Sequence, residues 1–226
     1  MKEIIIVVVV AVLALGAWWF YGDQANTDIN QASDNVEQTD VQVPEILELV
    51  VEIQNVSEDQ PLSPGLVIVH DAGLDLNPLG AVAPEGLEAL AEVGNPDAYA
   101  DYVRSLDGVE HVEMINNPIA PGDSLELDVT GREGMAVTVL SMAVASNDGL
   151  AYASFQLASG VETSAQNYDA GTEENSDLGS GFDGGQPDPS RGAENLDNGT
   201  ATDPQAEVST HEQLTETIMH IKVKNN

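Results

Sequence analysis

The chain has 226 residues, of which 39 are Asp or Glu and only six are Lys or Arg, so its formal net charge is −33. A charge of this sign repels phosphate backbones, and nucleic acid is therefore not expected as a partner. The chain contains no cysteine, which excludes disulfides, thiolate metal sites and cysteine nucleophiles. An apolar share of 42% is compatible with one domain that has a core.

Residues 1–21 are predicted to be a membrane anchor or a signal segment. Lys2 precedes an unbroken apolar run from Ile4 to Phe20, which lies at the short end of the range for a membrane-spanning helix. Three aromatic residues at its end suit the membrane interface: Trp18, Trp19 and Tyr21. A cleaved secretory signal is the alternative, with Ala14-Leu15-Gly16 as the cleavage site. We favour an uncleaved anchor, and both interpretations place the rest of the chain at the cell surface or in another extracytoplasmic location.

Residues 22–43 are predicted to be an acidic, flexible linker. They are polar and have almost no large apolar side chains, so they cannot bury enough surface to fold. A random coil of this length spans on the order of 25 Å, which would hold a domain just off the membrane. The folded domain is expected at 44–226.

Two strands and two helices are predicted at the start of this domain. Leu47 to Ile53 alternates with the two-residue period of a half-buried strand, and Gly65 to His70 is continuously apolar. Pro84 and Gly94 would bound the first helix. Asn95-Pro96 would begin the second, whose apolar positions follow helical spacing: Tyr99, Tyr102, Val103 and Leu106. We expect the helices to cover one edge or end of a sheet.

Further strands are predicted to complete a mainly β fold, an antiparallel β-sandwich with a short helical insertion. Val109 to Ile115 and Leu125 to Val129 are the next two strands. Ala136 to Ala145 is apolar on both faces, as expected in the middle of a sandwich, and a turn at Asn147-Asp148-Gly149 leads into the following strand. Residues 169–216 are predicted to form a long acidic loop. Met219 to Val223 closes the sheet.

Acidic residues at two loops predict a site for a hard cation. Asp148 follows the most apolar strand, and Asp169-Ala170-Gly171-Thr172-Glu173 lies downstream. Gly171 permits a sharp turn that aims Asp169 and Glu173 at one point. Calcium takes about six to eight oxygen ligands, which nearby residues could supplement: Asn147, Asn175 and Asp177. The alternative is an acidic turn without an ion, because acids four residues apart are common in so acidic a chain.

The histidines give a weaker indication of function. His70-Asp71, at the end of an apolar strand, could act as an acid/base pair with a serine such as Ser141. No Gly-x-Ser-x-Gly elbow is present, and Ser141 is expected to be buried in its strand. The remaining histidines lack metal-ligand spacing and are expected at the surface: His111, His211 and His220.

Four motifs together resemble the spondin N-terminal domain family, the F-spondin and mindin type of domain in its bacterial or archaeal form. In chain order they are Pro61-Leu62-Ser63-Pro64 leading into Val67-Ile68-Val69-His70-Asp71, then Gly86-Leu87-Glu88-Ala89-Leu90-Ala91-Glu92, Leu140-Ser141-Met142-Ala143 before Asn147-Asp148, and Tyr168-Asp169-Ala170-Gly171-Thr172-Glu173. The resemblance covers about Glu45 to Val223.

The resemblance implies a C2-like β-sandwich with a calcium ion held by Asp148, Asp169 and Glu173. Glu173 stands where the family has Asp, so the longer side chain changes the geometry of the site. We expect an exported, membrane-tethered calcium-binding module for adhesion, not an enzyme, with a cell-surface glycan or protein as partner. The alternatives are an envelope-polymer hydrolase that uses His70 and a purely structural surface protein.

Overall fold

The computed structural model describes residues 45–146, 148–172, 182–183, 186–187 and 206–226. In chain order their elements are β1 (Ile46–Asn55), β2 (Leu62–Asp71), α1 (Leu87–Val93), α2 (Asp97–Arg104), β3 (Val109–Ile115), β4 (Ser124–Arg132), β5 (Met135–Ala143), β6 (Gly149–Gln156), β7 (Glu162–Ser164), β8 (Gln166–Asp169), β9 (Phe182–Asp183), β10 (Gln186–Pro187), β11 (Ser209–Thr210) and β12 (Met219–Asn225). The predicted anchor at 1–21 and linker at 22–43 lie outside these residues. No helix in the described part is long and apolar enough to cross a membrane.

The strands form two main antiparallel sheets, which confirms the predicted mainly β, sandwich-like fold. One sheet has four strands in the order β4-β1-β12-β7, and the other has six in the order β11-β8-β6-β5-β2-β3. Among the described residues, β9 and β10 form a separate two-stranded pair. The longer predicted strands are all present, and β3 has the bounds that its sequence predicted.

The main core lies between the two sheets. Alternate residues of β1 are buried, Leu49, Val51 and Ile53 among them, and they pack in one cluster with Val137 and Val139 of β5. This alternation follows from the pleat, which points successive side chains to opposite faces of a sheet. The four-stranded sheet therefore has one buried face and one solvated face.

The outer face of the six-stranded sheet carries a second core. Leu66 and Ile68 of β2 pack with Leu87, Leu90 and Tyr99 of the helices. The helices thus cover a face of this sheet, and the expectation that they cover an edge or end was wrong. Because both faces of β5 are covered, all nine of its residues are buried, as the sequence predicted for a central strand.

Local signals set the helix ends. Gly94 follows α1 with φ of 65°, the left-handed conformation that glycine adopts at little cost. α2 begins at Asp97, one residue after the predicted start at Pro96, and Pro96 is its N-cap residue. The Asn95 side-chain oxygen accepts a hydrogen bond from the Asp97 N–H at 3.0 Å. α2 ends at Arg104, before Leu106.

Five short strands were not predicted: β7, β8, β9, β10 and β11. They have two to four residues each, too few to show a period. β2 also begins earlier than predicted, at Leu62, and its pairing with β5 shifts register between Leu62 and Gly65. Pro64 lies at this irregularity, where a missing N–H is tolerated.

Candidate functional site

The structure brings Asp148 and Asp169 to the same end of the six-stranded sheet. Asp148 lies in the turn before β6 and is fully buried, and Asp169 is the last residue of β8 and is 6% exposed. Gly149 pairs with Asp169 across these strands, and the Ala170 N–H donates to the Asp148 carbonyl oxygen at 3.1 Å. The prediction that both acids sit on loops was wrong for Asp169, which ends a strand.

Backbone N–H groups of the following turn bind both carboxylates. The Thr172 N–H donates to Asp148 Oδ2 at 2.9 Å, and the Gly171 N–H donates to Asp169 Oδ1 at 2.9 Å. Gly171 has φ of 68°, and a Cβ there would lie 3.0 Å from both the Cβ and the carbonyl oxygen of Ala206. The chain therefore turns sharply at Gly171, as the sequence predicted.

His211 is buried next to this turn, and the expectation that it lies at the surface was wrong. Its Nδ1 accepts hydrogen bonds from the N–H groups of Gln213 and Leu214, both at 3.2 Å. Burial lowers the pKa of His211, and the negative charge of Asp169 acts in the opposite direction. The sequence signal for this burial was the presence of two apolar residues near His211 in an otherwise acidic segment, Val208 and Leu214. Both are buried, and the segment around His211 packs against the sheet.

The neighbouring Asn167 joins β8 to the residues that precede β12. Its side-chain amide donates to the carbonyl oxygens of Leu214 at 2.9 Å and Glu216 at 2.7 Å. The His211 N–H donates to the Asn167 carbonyl oxygen at 3.0 Å. These bonds hold the returning chain against the strand that ends in Asp169.

The described donors at this end of the sheet fit a hard cation by their chemistry. Asp148, Asp169 and Thr172 present oxygen, which is the donor that calcium prefers, and the Thr172 hydroxyl is buried with no hydrogen-bond partner among the described residues. The third predicted carboxylate, Glu173, lies outside the described residues, as do the supplementary residues Asn147, Asn175 and Asp177. Within the described part of the chain, no group of three or more His, Cys, Asp or Glu residues is arranged to hold a metal ion.

The predicted His70 and Ser141 lie apart. Ser141 is fully buried and its hydroxyl donates to the Ser63 carbonyl oxygen at 2.8 Å. His70 instead has its Nε2 2.9 Å from the hydroxyl of Thr138. Thr138 and Ser141 are three residues apart on β5, so their side chains point to opposite faces of the sheet. The geometry does not provide the Ser141 and His70 pair that a hydrolase would need.

No family model matches this chain, and no curated protein matches it. The resemblance to the spondin N-terminal domain family stays a prediction from the motifs given above.

Proposed function

We propose that this chain is an exported, membrane-tethered, calcium-binding β-sandwich that acts as a binding or adhesion module at the cell surface. One observation carries the proposal: Asp148 and Asp169, 21 residues apart in sequence, are both buried at one end of one sheet. Ionised carboxylates are costly to bury unless hydrogen bonds or a cation compensate them. A bound cation would add to the backbone hydrogen bonds that these two carboxylates already accept.

Asp148, Asp169 and Glu173 would hold the ion. Calcium would supply positive charge at a point where a strongly acidic chain gathers carboxylates. Because Glu173 lies in the acidic stretch predicted at 169–216, its coordination would tie that stretch to the sheet. The ordered end of the sandwich would then present a surface to a cell-surface glycan or protein.

Calorimetric calcium titration of the full-length chain tests the site. Wild type is compared with Asp148→Asn, Asp169→Asn and Glu173→Gln, each of which removes charge with little change in shape. Asp128→Asn is the matched control, since Asp128 is exposed on β4. We expect binding in wild type and in the control, a Tm that rises with calcium by mass action, and loss of both effects in the three site variants.

The calcium proposal fails if wild type gives neither heat of binding nor a rise in Tm at millimolar calcium. The carboxylates of Asp148 and Asp169 would then only stabilise the turn, by accepting hydrogen bonds from the N–H groups of Thr172 and Gly171.

The membrane tether is tested separately by the N-terminal sequence of the mature, membrane-associated protein. An intact N-terminus, together with retention in membranes after a carbonate wash, supports the anchor. A mature protein that begins at Ala17 and is released into the medium would instead identify a cleaved signal.

A further inference from the structure

A pocket of about 440 Å³ opens on the outer face of the six-stranded sheet, away from the candidate cation site. Residues 72–77, which follow β2, form one wall, and Ser154 and Gln166 lie on another. Ser154 is five residues along β6 from Gly149, which corresponds to about 17 Å. The volume is in the range of small-molecule sites, about 300 to 1,000 Å³.

A buried polar chain runs beneath this pocket. His70 and Thr138 are each 1% exposed, although the neighbouring positions on the same face, Ile68 and Leu140, belong to the apolar core. His70 Nε2 lies 2.9 Å from Thr138 Oγ1, which lies 3.1 Å from Ser154 Oγ. Ser154 is exposed, so the chain ends at a hydroxyl on the pocket wall.

The chain fixes the orientation of the Ser154 hydroxyl. His70 Nδ1 lies 3.0 Å from the Asp71 carbonyl oxygen, which can only accept, so Nδ1 carries a proton. Thr138 Oγ1 donates to Ser154 Oγ at 3.1 Å. This bond holds the Ser154 hydroxyl oxygen in place for a ligand.

Beside the apolar Leu74 and Leu76, the described wall carries polar side chains and no Lys or Arg. Gln166 accepts a hydrogen bond from the Tyr168 hydroxyl at 2.7 Å through Oε1, which leaves its amide hydrogens for a ligand. Asp75 adds a carboxylate and Asn77 an amide. Burial raises the pKa of Tyr152 to about 12, so its phenol stays neutral. An anion would find no Lys or Arg side chain in this described lining, whereas hydroxyl groups would find both donors and acceptors.

We propose that this pocket binds a neutral, hydroxyl-rich ligand, a saccharide unit. Ser154, Gln166 and Asp75 contact the sugar hydroxyls, and His70 and Thr138 are positioning residues that hold Ser154. The site is independent of the calcium proposal because none of these residues lies at the Asp148 and Asp169 end of the sheet.

Saturation-transfer NMR and calorimetry on the full-length chain test the pocket, with glucose, galactose and N-acetylglucosamine as probes. A detergent without a sugar headgroup avoids competition. We expect saturable binding of at least one sugar, and binding about tenfold weaker in Ser154→Ala and in Thr138→Val, the effect of one lost hydrogen bond. The matched controls, Ser124→Ala and Thr130→Val on exposed positions of β4, should bind as wild type does. Thr138→Ser keeps the hydroxyl and should restore binding.

Calcium and its chelator separate this proposal from the previous one. Sugar binding that persists in EDTA and in Asp169→Asn supports the pocket, even if calcium binding fails. Three results would overturn it: no probe binds, Ser154→Ala binds as wild type does while its circular dichroism shows a folded protein, or an organic cation such as spermidine binds where the sugars do not.

Discussion

At the scale of single residues, Gly65 shows how closely β2 and β5 approach. A Cβ at this position would overlap the Leu140 carbonyl oxygen and lie 3.1 Å from the Ser141 Cα, both of which are backbone atoms that cannot move aside. We expect Gly65→Ala to lower the free energy of unfolding by about 1 to 3 kcal/mol, the usual cost of overpacking. Urea unfolding of wild type and variant measures this difference.

Gly73→Ala is the control for this variant, because a Cβ at Gly73 has no atom within 4 Å. Equal stability of the two variants would show that β2 and β5 lie further apart at Gly65 than these distances indicate.

His211 gives the fold a dependence on pH. Its folded-state pKa is lowered from the ordinary value of 6.5 by burial, so the unfolded chain binds a proton that the folded chain resists. Stability is therefore fully present above pH 6.5 and is lost as pH falls from there toward the lowered folded-state pKa. We expect urea unfolding in EDTA to show this loss between pH 7.5 and 5.5.

His211→Asn should remove that part of the acid sensitivity, since Asn keeps an acceptor for the two N–H groups but does not titrate. The exposed His111 provides the control, and His111→Asn should keep the wild-type slope. Identical slopes in both variants would contradict the assignment to His211.

Sequence reasoning predicted the turns at Asp148 and Gly171 because their signals were local. Asp148 follows an apolar strand and Gly171 permits a turn, and both facts can be read from neighbouring residues. The burial of His211 depends on contacts with Asn167 and on pairing between strands 40 residues apart, which no local pattern encodes.

At the scale of elements, α1 is an integral part of the second core. Leu90 is fully buried against the outer face of the six-stranded sheet, so Leu90→Ala should cost about 2 to 5 kcal/mol through lost burial and a cavity. Chemical denaturation measures the change.

Leu79→Ala is the same chemical change at a site that is 44% exposed, and it should cost far less. A small effect at Leu90 would mean that the helices can detach without loss of the sandwich.

Elements were predictable where their length let a period show. The sequences of β1, with ten residues, and β5, with nine, show which positions are buried. β11 has only two residues, Ser209 and Thr210, and is a strand because they pair with β8. The placement of the helices on a face depends on Leu66 and Ile68. Their apolar side chains indicate that this face of the sheet is buried, but they do not indicate which element buries it.

At the scale of the whole molecule, charge is the dominant feature. Among the described residues, four Lys and Arg side chains sit in ion pairs at exposed or half-buried positions: Lys224 with Glu52 at 2.7 Å and Glu126 at 3.0 Å, Lys222 with Glu162 at 3.7 Å, Arg104 with Asp101 at 3.3 Å, and Arg132 with Glu110. Salt weakens such ion pairs, but each exposed pair contributes little to the free energy of unfolding. Salt also screens the repulsion among the 39 acidic side chains, and we expect this gain in stability to exceed the loss from the weakened ion pairs.

We expect Tm to rise as KCl is increased from 0.1 M to 1 M. Lys224→Gln removes two of the ion pairs, so its Tm should be lower at 0.1 M and rise more steeply with salt. A Tm that falls with salt in wild type would show that the ion pairs outweigh the repulsion.

The strand order has a consequence for the covalent chain. Residues 206–226 contribute one strand to each sheet: β11 lies beside β8, and β12 lies between β1 and β7. A chain cut between residues 173 and 205 would remain joined through backbone hydrogen bonds of both sheets. The chain could therefore work as two complementing fragments. A short synthetic peptide that contains β12 would supply the missing strand between β1 and β7, and a label on the peptide would show that it has bound.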